Sequence, residues 1–269
     1  MRTIGIEFEF GSENFFYRKK RLETLDDAHV FFTPFFSKEL NNQNFSFKKT
    51  SSKLDWALKT DSCGYEITTP AIPCTYEDIC KVSFVMENFM MNVGKHLFNF
   101  SDCGLHVHIS INDFTKSEIE KLFLIFYVNE CLIMSLFNKN RSKSPYLKLL
   151  TNEICINDIN LKNKGFKQLV TDHDNHYRQL TGINLRIVKN KIDRIEVRYC
   201  PGTLSSKTIR CWSEFLCILV ELSKNSSKEE ILNNSIFDLY VMNKQKEWWF
   251  NIQEIGEWVD KRKKYRNSY

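Results

Sequence analysis

The chain has 269 residues, 42% of them hydrophobic and 26% charged, which is enough apolar material for a substantial core. Its net charge of +5 is modest. No zinc finger, aromatic-and-basic RNA-binding motif or long basic stripe accompanies it, so a nucleic-acid partner is not expected.

The basic clusters "YRKKR" (17–21) and "KRKKYR" (261–266) read as solvated ends of elements. No run of about 20 apolar residues predicts a membrane span, and the first residues form no apolar leader. The nine cysteines, at 63, 74, 80, 103, 131, 155, 200, 211 and 217, form no Cys-x-x-Cys pair. Several sit in apolar runs, such as Cys131 in "YVNECLIMSLF" and Cys217 in "WSEFLCILV". They read as reduced, buried, small hydrophobes, and the expected location is cytoplasmic.

In chain order, "IGIEFEF" (4–10) alternates apolar and acidic residues and predicts a strand. A loop and one or two helices follow, ending in the Phe-rich stretch 30–47. That stretch reads either as core or as the cover of a substrate site. "KLDWALKTD" (53–61) and "YEITTPAI" (65–72) predict a hairpin across "SCG". Thr75 and Asp78 resemble a capping box, opening a helix to about residue 98. "CGLHVHISI" (103–111) predicts a strand. Thr115 and Glu118 form a cleaner box before a long helix to about Asn138.

Residues 141–175 are polar, with room for one short helix. "YRQLTGINLRIV" (177–188) and "DRIEVRYC" (193–200) predict two further strands. "PGTL" breaks the pattern before a helix over about 205–223. "SSKEE" starts another, and a last helix over about 244–264 carries Trp248, Trp249 and Trp258. Paired strands and separate blocks of helices predict an α+β fold, with helices on one face of an antiparallel sheet.

Side chains alternate faces along a strand. Opposite the apolar residues stand Glu7 and Glu9; Lys59 and Asp61; Glu66 and Thr68; His106, His108 and Ser110; Asn184 and Arg186; Glu196 and Arg198. A merely wet face carries Thr, Ser, Lys, Glu and Gln in no special order, whereas this one is mostly carboxylates, histidines and arginines with few filler residues. Converging carboxylates at about 4 Å repel by roughly 4 kcal/mol per pair at an effective dielectric of about 20, so they take up protons or cations. Five acids with one or two histidines suit Mg²⁺ or Mn²⁺ rather than zinc. Arg186 and Arg198 suit phosphate or carboxylate oxygens. Together these point to phosphoryl chemistry on a nucleotide. No Gly-rich phosphate loop is present.

Five pieces in this order, "IGIEFEF", "WALKTDSCGYEITTPAI", "CGLHVHISI", "YRQLTGINL" and "IEVRYCPGTL", resemble the amidoligase family. These are carboxylate–amine ligases related to glutamate–cysteine ligase and glutamine synthetase. The resemblance covers most of residues 1–205. It implies a curved antiparallel sheet of glutamine-synthetase-like fold, with helices on its outer face and ATP and metals on its concave face. It also implies ATP-dependent amide formation, peptide or isopeptide, through an acyl-phosphate.

By this resemblance Glu7, Glu9, Asp61, Glu66, His106 and Glu196 match metal ligands. His106, His108, Arg178, Asn184 and Arg198 match nucleotide-contacting positions. Arg198, Arg186 and Glu66 are the catalytic candidates, and which carboxylate takes the amine proton is left open. The implied partners are ATP, an amine and a carboxylate, including a peptide or protein. Residues 1–225 would be the catalytic domain and 226–269 a C-terminal helical extension. The alternatives are an inactive ligase-like binding module and a metal-dependent amide hydrolase. A nucleophilic role for Cys63 or Cys103 needs a helper base.

Overall fold

The structure, a computed structural model, describes residues 2–11, 16–17, 20–41, 46–49, 55–61, 64–94, 97–100, 102–137, 139–144, 147–171, 182–188, 191–243 and 252–267. It is a mixed α+β fold with a largely antiparallel sheet and helices around it. The chain divides into two compact units. The first is Met1–Val107 with Cys200–Arg210, and the second is His108–Tyr199 with Cys211–Tyr269.

The first unit contains β1 (Thr3–Phe10), the short pair β2 (Phe16–Tyr17) and β3 (Lys20–Arg21), α1 (Leu25–Asn41), β4 (Phe47–Lys48), β5 (Trp56–Asp61), β6 (Gly64–Thr68), β7 (Ile72–Pro73) and α2 (Tyr76–Val93). It also holds the beginning of β8 (Gly104–Ser110). Its strands lie in the order β4-β5-β6-β1-β8, with β7 also on β1. β5, β6 and β1 are antiparallel neighbours, and β4 runs parallel to β5. The hairpin closes with Asp61 opposite Gly64, as the "SCG" turn predicts.

Ile4, Ile6, Phe8 and Phe10 of β1 are at most 1% exposed, so the alternation does set one face into a core. Phe10 meets Phe32 of α1, Phe98, Tyr65 and Phe89 of α2 at centroid distances of 5.3–6.5 Å. Phe36 of α1 stacks on Phe47 at 4.6 Å and packs on Trp56 and Phe89. Such ring pairs add about 0.5–1.5 kcal/mol each beyond area burial. Phe32 and Phe36 are fully buried, so this part of the Phe-rich stretch is core.

The two possible early helices are one, running through Pro34 at the loss of one backbone hydrogen bond. The 65–72 strand is broken into β6 and β7. α2 ends at Val93, short of residue 98, because Gly94 takes φ 111° and donates its N–H to the Met90 carbonyl.

The second unit contains the rest of β8, then α3 (Lys116–Ser135), a 3₁₀ turn (Lys139–Lys143), α4 (Leu150–Glu153) and α5 (Lys164–Thr171). Next come β9 (Ile183–Val188), most of β10 (Lys191–Pro201) and most of α6 (Ser206–Asn225). α7 (Lys228–Asn233), α8 (Ile236–Met242) and α9 (Ile252–Asn267) complete it. Its strand order is β8-β10-β9, with β9 and β10 antiparallel.

The Thr115–Glu118 capping box is present, and Ser227 with Glu230 forms another at α7. Lys121 of α3 donates to the carbonyls of Lys224 and Ser226, satisfying acceptors at the end of α6. Region 141–175 is richer than expected, with two short helices and 3₁₀ turns. α8 was not anticipated. Trp258 is buried as expected, while Trp248 and Trp249 lie outside the described residues.

The cysteine reading needs correction. Cys103, Cys200 and Cys211 are buried free thiols, but Cys131 and Cys155 are exposed. Cys131 is exposed on α3 although most of the run around it is apolar. Cys74 and Cys217 are each disulfide-bonded rather than reduced, which leaves no trace in local spacing. No helix among the described residues is long and apolar enough to cross a membrane.

Candidate active site

In the first unit, β1 lies between β6 and β8, which sets the polar residues of three strands side by side. Glu7 pairs in register with Thr68, and Glu9 with Glu66. Nδ1 of His106 lies 3.3 Å from Glu9 Oε1 and 3.5 Å from Glu7 Oε2. Glu9 is buried, and its Oε2 accepts the Gly104 N–H at 2.6 Å. A charge-assisted bond to a backbone N–H stabilises the ionised carboxylate. Glu66 is held by Lys59 Nζ at 2.9 Å.

Gly202 of the "PGTL" break belongs here as well. Its N–H reaches the Cys103 carbonyl at 2.8 Å. A Cβ at Gly202 would stand 3.1 Å from the Glu9 carbonyl and 3.0 Å from the Phe100 ring. Glycine permits the close approach there to the strand that carries Glu9.

The structure therefore brings Glu7, Glu9, Glu66 and His106 onto neighbouring strands of one unit. Asp61 is in the same strand pairing through its backbone, and its side chain lies outside what is described. A histidine whose Nδ1 faces carboxylates presents Nε2 for another contact, an arrangement common beside bound metals.

In the second unit, Glu196 is fully buried, and one of its oxygens takes Arg186 through Nε and Nη2. Arg198 Nη1 takes the other oxygen at 2.6 Å. The Arg186 side chain is 28% exposed and that of Arg198 15%, so neither is sealed from solvent. Asn184, opposite Glu196 in register, is buried. A ring nitrogen of His108 and a carboxylate oxygen of Glu196 lie within 4.8 Å. Arg194, which shares the parity of Glu196 and Arg198, donates from Nε to His108 Nδ1 at 3.4 Å. Two arginines on one carboxylate leave a net positive charge, suited to phosphate or carboxylate oxygens. Arg178 and Cys63 lie outside the described residues.

The sequence reading missed Lys59 in the first unit and three residues in the second. Lys59 was placed on the polar face without a role. Arg141, Glu130 and Tyr199 anchor β10 beside Arg198. The signal for Glu130 was visible as a lone carboxylate in the apolar run "YVNECLIMSLF". Burial pushes the Tyr199 phenol well above its ordinary value, and the adjacent Glu130 carboxylate adds to the shift.

No curated protein matches the chain. Among solved structures, the complex between the prokaryotic ubiquitin-like protein Pup and its ligase PafA is similar at 11% identity and a TM-score of 0.47. The match covers 99% of this chain and 65% of that one, so this chain spans less than two thirds of its length. The family described as "Putative amidoligase enzyme" matches residues 1–220. With four fifths of its length inside that match, the chain belongs to the amidoligase family.

Proposed function

We propose that the protein is an ATP-dependent carboxylate–amine ligase that forms a peptide or isopeptide bond through an acyl-phosphate. The observation that carries this reading is the ionic face of the strands. Two carboxylates flank His106 in one unit, and two arginines grip a buried carboxylate in the other. Family membership supports it.

The donor chemistry of Glu7, Glu9 and His106 fits a hard divalent cation, because two anionic oxygen donors stand against a single imidazole. In this reading Glu7, Glu9, Asp61, Glu66, His106 and Glu196 hold Mg²⁺ or Mn²⁺. Each Glu196 oxygen already carries an arginine, so its share requires a guanidinium to give way. Bound there, the cation would offset the charge of the phosphate oxygens.

His108, Arg178 and Asn184 contact the nucleotide. Arg198 and Arg186 reduce the repulsion between an anionic carboxylate and a triphosphate, and they stabilise the charge spread over the transferred group. The substrate carboxylate oxygen attacks the γ-phosphorus and ADP leaves. The amine nitrogen then attacks the acyl carbon, inorganic phosphate leaves, and a carboxylate of the site accepts the proton. Glu66 stands with Arg198 and Arg186 among the catalytic residues of this reading.

The reading extends to a curved sheet with the nucleotide on its concave face, and to a cytoplasmic setting. It assigns catalysis to residues 1–225 and treats 226–269 as a helical addition.

The test is ADP and phosphate release with Mg²⁺ across a panel of amines and carboxylates. Turnover that needs both an amine and a carboxylate, and that is lost in Glu7→Ala, is expected. No turnover with any pair, together with no nucleotide binding in Mg²⁺, would refute the proposal.

A further inference from the structure

We infer that Arg141 and the Glu130–Tyr199 pair are positioning residues that hold Arg198 on Glu196. This deepens the ligase reading and rests on it. β10 has two faces at this point. Glu196 and Arg198 stand on the ionic side, while Ile195, Val197 and Tyr199 on the other side are fully buried. The side chain next to Arg198 is therefore anchored in the core.

Tyr199 donates its phenol to Glu130 Oε1 at 2.5 Å. Glu130, 1% exposed on α3, also accepts the N–H of Leu150 at 2.6 Å, and the N–H and hydroxyl of Thr151 at 2.8 and 2.6 Å. It thereby serves the start of α4, whose own N-cap residue, Leu149, makes no side-chain cap. Four donors on one buried carboxylate fix its orientation, and so fix the ring of Tyr199.

Arg141 approaches the same residue from its backbone side. It is 6% exposed, and donates Nη2 to the Arg198 carbonyl at 2.7 Å and Nε to the Tyr199 carbonyl at 3.3 Å. The Arg198 N–H is bound to the Gly182 carbonyl at 2.8 Å. Both backbone polar groups of Arg198 and both ends of Tyr199 are thus tied. A buried cation and a buried anion are used on one two-residue stretch of strand. Apolar residues would suffice for packing alone, since a buried ionic group is a poor source of stability. What the arrangement does supply is a fixed origin for the Arg198 side chain, whose guanidinium must stay within fractions of an ångström of its place.

The test is a cycle of Arg141→Met and Arg198→Ala read by ATP-dependent turnover. Arg141→Met is expected to lower kcat about 100-fold, the effect of a misplacement near 1 Å, with KM for ATP nearly unchanged. In an Arg198→Ala background it is expected to lower kcat no further. Arg141→Lys, which keeps the charge and one donor, is expected to recover part of the loss. It carries the same comparison if Arg141→Met does not fold. Losses that multiply in the double variant, or an unchanged kcat, would overturn the inference.

A second readout does not depend on turnover. The Arg198 Nε–H resonance, assigned by its loss in Arg198→Lys, is expected to shift and to exchange faster with water in Arg141→Met. An unchanged resonance would overturn the positioning role. Absent turnover in the wild type would count against the ligase reading, and the resonance would still decide this one.

Discussion

Replacing Gly182 by Ala is a sharp perturbation of the anchor beneath the arginine pair. An ideal Cβ at Gly182 would stand 2.2 Å from Cε1 of Tyr199, 2.3 Å from Cζ and 2.8 Å from the hydroxyl oxygen. The ring cannot yield freely, because its hydroxyl is bound to Glu130 and the residue is fully buried. Overpacking a core costs about 1–3 kcal/mol. Pulling the phenol off a carboxylate forfeits a further 1.5–3 kcal/mol or so. Against this, Ala lowers the entropy of the unfolded chain, worth about 0.4–1 kcal/mol.

The net expectation is a loss of about 2–5 kcal/mol, read as a drop in the urea midpoint of roughly 1 M or more. The clash is specific, so Tyr199→Ala in the same chain should remove most of the extra cost of Gly182→Ala. A double variant whose loss is the sum of the two singles would refute the steric account. So would Gly182→Ala within about 0.5 kcal/mol of wild type, the range of an innocuous surface change.

The remaining predictions follow from the same contacts. Tyr199→Phe should destabilise the fold by about 1.5–3 kcal/mol near neutral pH, measured by urea titration. Because the folded state raises the Tyr199 pKa, that contribution is fully present below the ordinary tyrosine value and is lost as pH climbs through the folded one. The wild type should therefore lose its margin over Tyr199→Phe only above about pH 10. Glu9→Gln should weaken Mn²⁺ binding, measured by calorimetry, by at least about tenfold, since it removes a charge that faces His106 at 3.3 Å. Ser227→Ala should cost about 1 kcal/mol by opening the α7 capping box, with no change in Mn²⁺ affinity.

The strands that carry the site were legible because period-two alternation separates a core face from an ionic face within each short segment. "IGIEFEF" shows Ile4, Ile6, Phe8 and Phe10 going inward and Glu7 and Glu9 going to the other side. The capping box at Thr115 was readable for a similar reason, since both partners lie within four residues.

What could not be read was long-range pairing. Nothing local says that Glu130 waits for Tyr199, 69 positions away, or that Arg141 takes the carbonyls of residues 198 and 199. The polar stretch 141–175 looked irregular because the start of α4 is served by a carboxylate from α3 rather than by its own cap. Parity placed Glu196 on the ionic face and the family resemblance matched it to a metal ligand, but neither revealed that two arginines occupy it.

The most direct test of the central claim follows the oxygen atoms. Take an amine and carboxylate pair that gives turnover, label the carboxylate with oxygen-18, and analyse product and phosphate by mass spectrometry. The account predicts an amide formed only with ATP, and one labelled oxygen in the released inorganic phosphate for each bond made. Amide formation or cleavage without ATP, or phosphate free of label while ATP is consumed, would contradict it.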